Sequence, residues 1–133
     1  MPKILELGEL LKSKRDPRVT LDAEHYFIEG VYVRSLFIPA GTVLVGKIHN
    51  KETISILTKG TLQVTNGDAI KVVTAGHIVV EQPGVKRAGY ALTDCIFVNI
   101  FKDEEGLKDM DDSERLGVLA SDSFEEFGVR RLS

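Results

Sequence analysis

Three side chains carry the chemistry this sequence offers: Lys47, His49 and Arg87. Arginine presents a planar fork of donors that matches a phosphate or a carboxylate, and lysine adds a compact point charge. Histidine donates from either ring nitrogen, and a nearby anion favours its protonated form. These types suit an anion and do not suit a metal ion. A mononuclear centre needs several imidazole or carboxylate donors converging at about 2.0–2.2 Å, whereas ammonium and guanidinium groups have no lone pair to give. His49 is a single donor, and the carboxylate nearest to it in sequence is Glu52. An odd separation puts the two on opposite faces of a regular strand, so a loop at Asn50-Lys51 would have to bring them together. Metal-ligand candidates are therefore confined to His49 and Glu52, and no metal or other cofactor is expected.

A structural role is open to each of the three. Lys47 can lay its alkyl stem along a rim and keep its ammonium in water. Arg87 can pair with Glu81 or Glu52 as a salt bridge, and His49 can be a half-buried imidazole with its hydrogen bonds met. Thr53 and Ser55, two residues apart, share one strand face and offer hydroxyls to a bound group. The remaining polar positions read as structural. His25 precedes aromatic strand residues, and His77 follows Gly76 at a strand start, where a surface position is expected. Cys95, followed by Ile96, Phe97 and Val98, reads as a buried packing thiol. The run Asp109-Met110-Asp111-Asp112 lacks the spacing of a calcium loop and reads as a turn or helix start. No Ser/His/Asp order, phosphate-cradling glycine loop or paired-cysteine motif is present.

The elements that must position these groups are strands. Tyr26 to Phe37 is rich in aromatic and β-branched residues, with Gly30 as a break. Pro39-Ala40-Gly41 turns the chain, and strands follow at Val43–His49, Thr53–Thr58, Thr61–Val64 and Ala69–Val73. Between the last two, Asn66-Gly67 signals a hairpin with a type I′ turn. Further strands fall at His77–Glu81, about Lys86–Leu92 and Cys95–Phe101, with Gln82-Pro83-Gly84 turning the chain. Short strands at regular spacing, without intervening helical pattern, argue for an antiparallel sandwich or barrel. Ile4, Leu7, Leu10 and Leu11 make one apolar face of a short N-terminal helix stopped by Asp16-Pro17. After Lys102 the chain turns acidic, with short helical starts at Asp103-Glu104-Glu105 and at Asp112. Another starts at Ser123, whose capping-box partner is Glu126, with Phe124 and Phe127 as its anchors.

The stretch from Gly41 to Gly60 resembles the first motif of the cupin superfamily, G-x5-H-x-H-x3-E-x6-G, with both end glycines in register. Lys47, His49 and Thr53 stand where a cupin carries metal ligands. Gly76 to Ala91 is similar to the second motif, G-x5-P-x-G-x2-H-x3-N. Gly76 and Gly84 keep their spacing, Pro83 is displaced by one, Arg87 takes the histidine position and Ala91 the asparagine position. The resemblance covers about residues 36–101. It implies a jelly-roll barrel with Lys47 and His49 inside near the mouth and Thr53 and Ser55 on the wall beside them. It also implies that the cationic trio has replaced the chelating set, leaving an anion pocket. Gly89 and Ala91, on the face of Arg87, leave room for a ligand. Cupin-like domains commonly pair through sheet edges, so a homodimer is implied. A narrower resemblance, carried by Ile38 to Val43, Gly46 to His49, Ile56 to Gly60 and Pro83 to Ala91, is to small cupin-like proteins of tailed bacteriophages. It implies a viral origin, with the host cytoplasm or the virion as location.

Composition bounds the rest. The 133 residues fit one domain, with 43% hydrophobic and 28% charged residues. A net charge of −3 gives no basic surface for nucleic acid. No apolar run approaches the roughly 20 residues of a membrane span. The acidic, interrupted N-terminus does not read as a secretory signal, and one cysteine excludes an internal disulfide and fits a reducing compartment.

The expected fold is therefore all-β: an antiparallel cupin-like jelly-roll barrel with a short N-terminal helix and C-terminal short helices. Its parts are an arm over 1–22, a barrel over 23–102 and a tail over 103–133. The expected function is a metal-free binding module for a small anionic ligand such as a nucleotide or sugar phosphate. Lys47, His49, Thr53, Ser55 and Arg87 would hold that ligand, and no residue is assigned as catalytic. Behind it stands a virion or assembly protein that uses its arms on other virion proteins. Third comes an isomerase or lyase with His49 as base, Lys47 or Arg87 as electrophile and Tyr90 and Glu52 as further partners.

Overall fold

The computed structural model describes residues 21–45, 50–65, 67–85, 87–119 and 127–129. Ten strands are formed among them: β1 Asp22–Ile28, β2 Val31–Ile38, β3 Val43–Val45, β4 Thr53–Lys59, β5 Thr61–Thr65, β6 Ile70–Thr74, β7 Ile78–Glu81, β8 Ala88–Ala91, β9 Cys95–Lys102 and β10 Phe127–Val129. They make two five-stranded antiparallel sheets, ordered β1-β2-β9-β4-β7 and β10-β3-β8-β5-β6. The chain passes back and forth between the sheets, as a jelly roll does.

β2, β7 and β9 of the first sheet carry apolar residues on both faces, so the inner face is set by topology rather than by a simple alternation. β2 sends Tyr32, Arg34, Leu36 and Ile38 inward, all buried. Leu36, Ile38, Leu57, Leu62, Val73, Ala91 and Cys95 form one apolar core between the sheets. Burial pushes the Cys95 thiol pKa up, which keeps it protonated and inert, as its sequence context suggests. A second apolar cluster joins Tyr32 and Phe101 to Leu107 and Leu119 at the other end of the sheet.

That second cluster docks the C-terminal helical elements. A 3-10 turn at Leu107–Asp109 is led in by Asp103, whose Oδ1 accepts from the backbone N–H groups of Gly106 and Leu107 at 3.0 Å each. The helix α1, Asp112–Leu119, is capped by a reciprocal pair. Asp111 Oδ1 accepts from Glu114 N at 2.8 Å and Glu114 Oε1 from Asp111 N at 3.4 Å. At its other end Asn50 donates to the carbonyls of Leu119, through its backbone N–H at 2.8 Å, and of Val118, through Nδ2 at 2.9 Å. Arg115 is buried and lays its guanidinium over the rings of Phe27 and Tyr32, 5.4 and 5.8 Å from their centroids. Its Nη1 donates to the carbonyls of Leu107 and Met110.

His25 sits at this junction. Its Nδ1 shares a 2.7 Å hydrogen bond with Tyr32 Oη, and its Nε2 lies 3.8 Å from Asp112 Oδ1. Burial lowers its pKa from 6.5; Arg115 and Arg34 lower it further, and Asp112 opposes them. The unfolded chain therefore takes up the proton first, so stability held above pH 6.5 is lost as pH falls from there through the depressed folded value. His25→Gln is expected to flatten the dependence of Tm on pH in that window. Equal slopes for wild type and variant in a thermal melt series would contradict it.

Several expectations change. The β5–β6 hairpin is present, but the register Thr65↔Ile70 closes a four-residue loop instead of a two-residue type I′ turn. Thr65 Oγ1 accepts from Gly67 N at 3.0 Å and takes over the work assigned to the tight turn. Phe127, read as a helix anchor, begins β10 and pairs with Val45 on β3. A capping box is formed at Asp111 and Glu114; the one expected at Ser123 and Glu126, with Phe124, lies outside the described residues, as does the helix expected over residues 3–14.

Candidate functional site

A polar belt crosses the inner face of the first sheet between its two apolar clusters. Arg34 of β2 is in register with Asn99 of β9, and Asn99 with Ser55 of β4. All three are buried. Asn99 Nδ2 donates to Ser55 Oγ at 2.6 Å, and Ser55 Oγ donates to Glu81 Oε2 at 2.5 Å. Glu81, at the end of β7, is 7% exposed, a depth at which a carboxylate needs partners. Arg87, immediately before β8 of the second sheet, brings Nη1 to 3.4 Å from Glu81 Oε1. The ion pair thus bridges the sheets at one wall of the space between them.

That space is a cavity of about 100 Å³. Leu36 and Phe97 line it from the first sheet, and Leu44, Leu62, Val64 and Val73 from the second. Glu81, Gln82, Arg87, Asn99 and His77 supply its polar wall. Ala88 and Gly89 line it beside Arg87. A side chain at Gly89 would meet Leu62 Cδ1 at 3.4 Å, so the glycine marks the edge of the open volume.

The expected site residues divide. Arg87 lines the cavity, but it is tied to Glu81 as the salt-bridge reading foresaw. Ser55 faces inward beneath Glu81, where its hydroxyl is committed to Glu81 and Asn99. Thr53 is buried and donates to the Lys51 carbonyl at 3.2 Å; neither hydroxyl is part of the cavity wall. Lys47 and His49 lie outside the described residues. On β3 it is Leu44 that lines the cavity, so Val43 and Val45 belong to the opposite face. His77, expected at the surface, contributes to the cavity wall instead, because the β6–β7 corner turns it inward.

Two contributors were missed. Asn99 is a lone amide in the apolar run Cys95 to Phe101, and a buried amide without water needs a partner, which was the available signal. Glu81 entered only as a partner for Arg87, because Ile78-Val79-Val80 before it is apolar on both faces and hides which side is inner.

Among the described residues the donor set does not fit a metal ion. The cavity carboxylate is already paired with a guanidinium, which has no lone pair to give. Among the described residues no three His, Cys, Asp or Glu side chains converge. Glu52 is exposed and accepts from Gln82 Nε2 at 3.1 Å.

No family model and no curated protein matches the sequence. Solved structures do match the fold. An RmlC-like cupin from Shewanella frigidimarina aligns over 70% of this chain and 88% of its own, with 20% identity and a TM-score of 0.55. A cupin-2 domain protein from the same organism aligns over 74% and 99%, with 14% identity and a TM-score of 0.52. The chain has the cupin fold. An ectoine synthase from P. lautus shares it over 72% of this chain and 74% of its own, at 19% identity and a TM-score of 0.56. In this cupin barrel the space between the sheets has become a mainly apolar cavity with one ion-paired, hydrogen-bonded wall.

Proposed function

We propose that this chain is a small-molecule binding module whose cavity takes a compact ligand with an apolar body and one anionic head. The convergence of Arg87, Glu81 and Asn99 on one wall of an otherwise apolar cavity carries this reading. Such asymmetry orients a ligand: the apolar wall supplies burial and the few polar groups fix direction. The head sits at Arg87, which exchanges part of its contact with Glu81 for the incoming carboxylate. Because the cavity measures about 100 Å³, against roughly 300–1,000 Å³ for drug-sized ligands, a short branched carboxylic acid fits better than a nucleotide or sugar phosphate. Lys47 and His49 remain part of the proposal as further cations for the same head. The narrower resemblance adds a phage-encoded module acting in the host cytoplasm.

Titration calorimetry with a panel of short aliphatic and aromatic carboxylates tests this. Binding is expected to weaken about 10- to 100-fold in Arg87→Ala, the loss of one charge-assisted contact. Equal affinity in wild type and Arg87→Ala, or no heat with any member of the panel, would remove the proposal.

A second reading, an enzyme of the isomerase or lyase class, is favoured by Glu81. It is a buried carboxylate at the cavity wall, oriented by Ser55, as a general base must be, in a fold that an ectoine synthase also uses. Turnover abolished by Glu81→Gln with binding retained would turn the assignment toward it.

A further inference from the structure

We propose that His25 is a proton-operated latch: when its ring takes up a second proton, the helical unit Leu107–Leu119 leaves the end of the first sheet while both sheets stay formed. The geometry fixes the resting form of the ring. Tyr32 is 1% exposed, and its hydroxyl bonds His25 Nδ1 at 2.7 Å. The charged groups acting on that hydroxyl are Arg34, Arg115 and Asp112. A guanidinium has no lone pair to accept its proton, and Asp112 faces the far nitrogen of the imidazole, Nε2. Tyr32 therefore donates and Nδ1 accepts, which assigns the single ring proton to Nε2, toward Asp112.

A second proton goes to Nδ1. The ring then presents a donor where the buried phenol needs an acceptor, and the O–H of Tyr32 loses its partner. The charges work in the same direction. β2 brings Arg34 and α1 brings Arg115, while Asp112 of α1 opposes them. Glu24 of β1 is exposed on the other face and accepts from Tyr26. Asp112 is about half exposed, so water screens its attraction, whereas Arg115 is buried over Phe27 and Tyr32. His25 itself keeps some contact with solvent, so a proton can reach it.

The helical unit yields because less holds it. His25 and Tyr32 stand on β1 and β2, which pair along their whole lengths. The unit is one 3-10 turn and an eight-residue helix, seated through Leu107 and Leu119 on Tyr32 and Phe101. A small element with so short a buried face opens below the free energy of global unfolding. Its release also frees Asn50, which bonds the last two carbonyls of α1, and Lys51, which pairs with Glu105. The change therefore reaches the segment that leads into β4.

Hydrogen exchange of the full chain tests this, followed amide by amide by NMR from about pH 7.5 to about pH 5, where an imidazole changes charge. Rates are divided by the intrinsic rate at each pH, so that only protection is compared. The amides of Asn50, Met110 and Arg115 report the unit, and those of Ala91 and Leu92 report the second sheet. Protection of the first three is expected to fall by up to about 10-fold per pH unit below 6.5, until the folded value of His25 is passed. Ala91 and Leu92 are expected to keep theirs. His25→Gln supplies an acceptor oxygen that does not titrate, and is expected to abolish the fall. Asp112→Asn removes the group that opposes the two arginines, and is expected to deepen it; this variant decides if His25→Gln does not fold. Protection that is independent of pH in the wild type overturns the proposal. So does an equal fall at Ala91 and Leu92, which would mean that the whole chain opens together. A fall that persists in folded His25→Gln, or one that Asp112→Asn leaves unchanged or makes shallower, also overturns it.

Discussion

Replacing Gly60 with alanine is expected to cost about 3–4 kcal/mol of folding free energy. Two penalties combine. Gly60 has φ +91°, in the left-handed region, where a Cβ costs about 1–2 kcal/mol. The added Cβ would also overlap the backbone carbonyl of Asp94 and lie 2.8 Å from Cys95 Sγ. Backbone cannot rotate aside as a side chain can, so the β4–β5 corner and the start of β9 must separate. Gly76 carries the first penalty alone: its φ is +99°, and a Cβ there meets nothing within 4 Å. Gly76→Ala is therefore expected to cost only about 1–2 kcal/mol. Urea titration of both variants gives the comparison, and equal costs would show that the close approach at Asp94 does not constrain the corner.

The same glycine explains why the fold was legible. The four glycines that frame the two motifs, Gly41, Gly60, Gly76 and Gly84, all have positive φ. Their spacing records where the chain turns between sheets, and that record is independent of what lines the cavity. Strand positions were legible for the same reason, since β-branched runs between those turns have few alternatives. The site was less so. In β2 and β9 both faces carry apolar residues, so no alternation tells which is inner, and in β4 the alternation misleads, because Ile54 is exposed while Thr53 and Ser55 are buried. Arg87 was identified by its place in the motif, while Asn99 and Glu81 follow only from strand pairing between β9, β4 and β7. The β5–β6 turn failed for a local reason: Asn66-Gly67 predicts a two-residue loop, but Thr65 supplies a side-chain acceptor that stabilises a longer one.

Ser55 is expected to be the most sensitive member of the belt. Its hydroxyl is at once the donor to Glu81 Oε2 and the acceptor from Asn99 Nδ2, at 2.5 and 2.6 Å. Ser55 is fully buried, and Glu81 and Asn99 nearly so. Ser55→Ala therefore leaves a carboxylate oxygen and an amide donor short of partners at once. A hydrogen bond to a charged group contributes about 1.5–3 kcal/mol, and an orphaned buried donor costs about 1–3 kcal/mol. The two overlap where the groups can relax toward each other, which places the expected loss near 3 kcal/mol in urea unfolding. Arg87 limits the damage only in part, because its side chain is 38% exposed and its attraction for Glu81 is screened accordingly. A double-mutant cycle with Glu81→Gln separates this chain of bonds from ordinary packing. Coupling of at least about 1 kcal/mol between positions 55 and 81 is expected, together with a weaker carboxylate titration in Ser55→Ala, because Glu81 then swings toward Arg87 and competes for it. Independent, additive losses at the two positions would mean that the belt does not act as one unit.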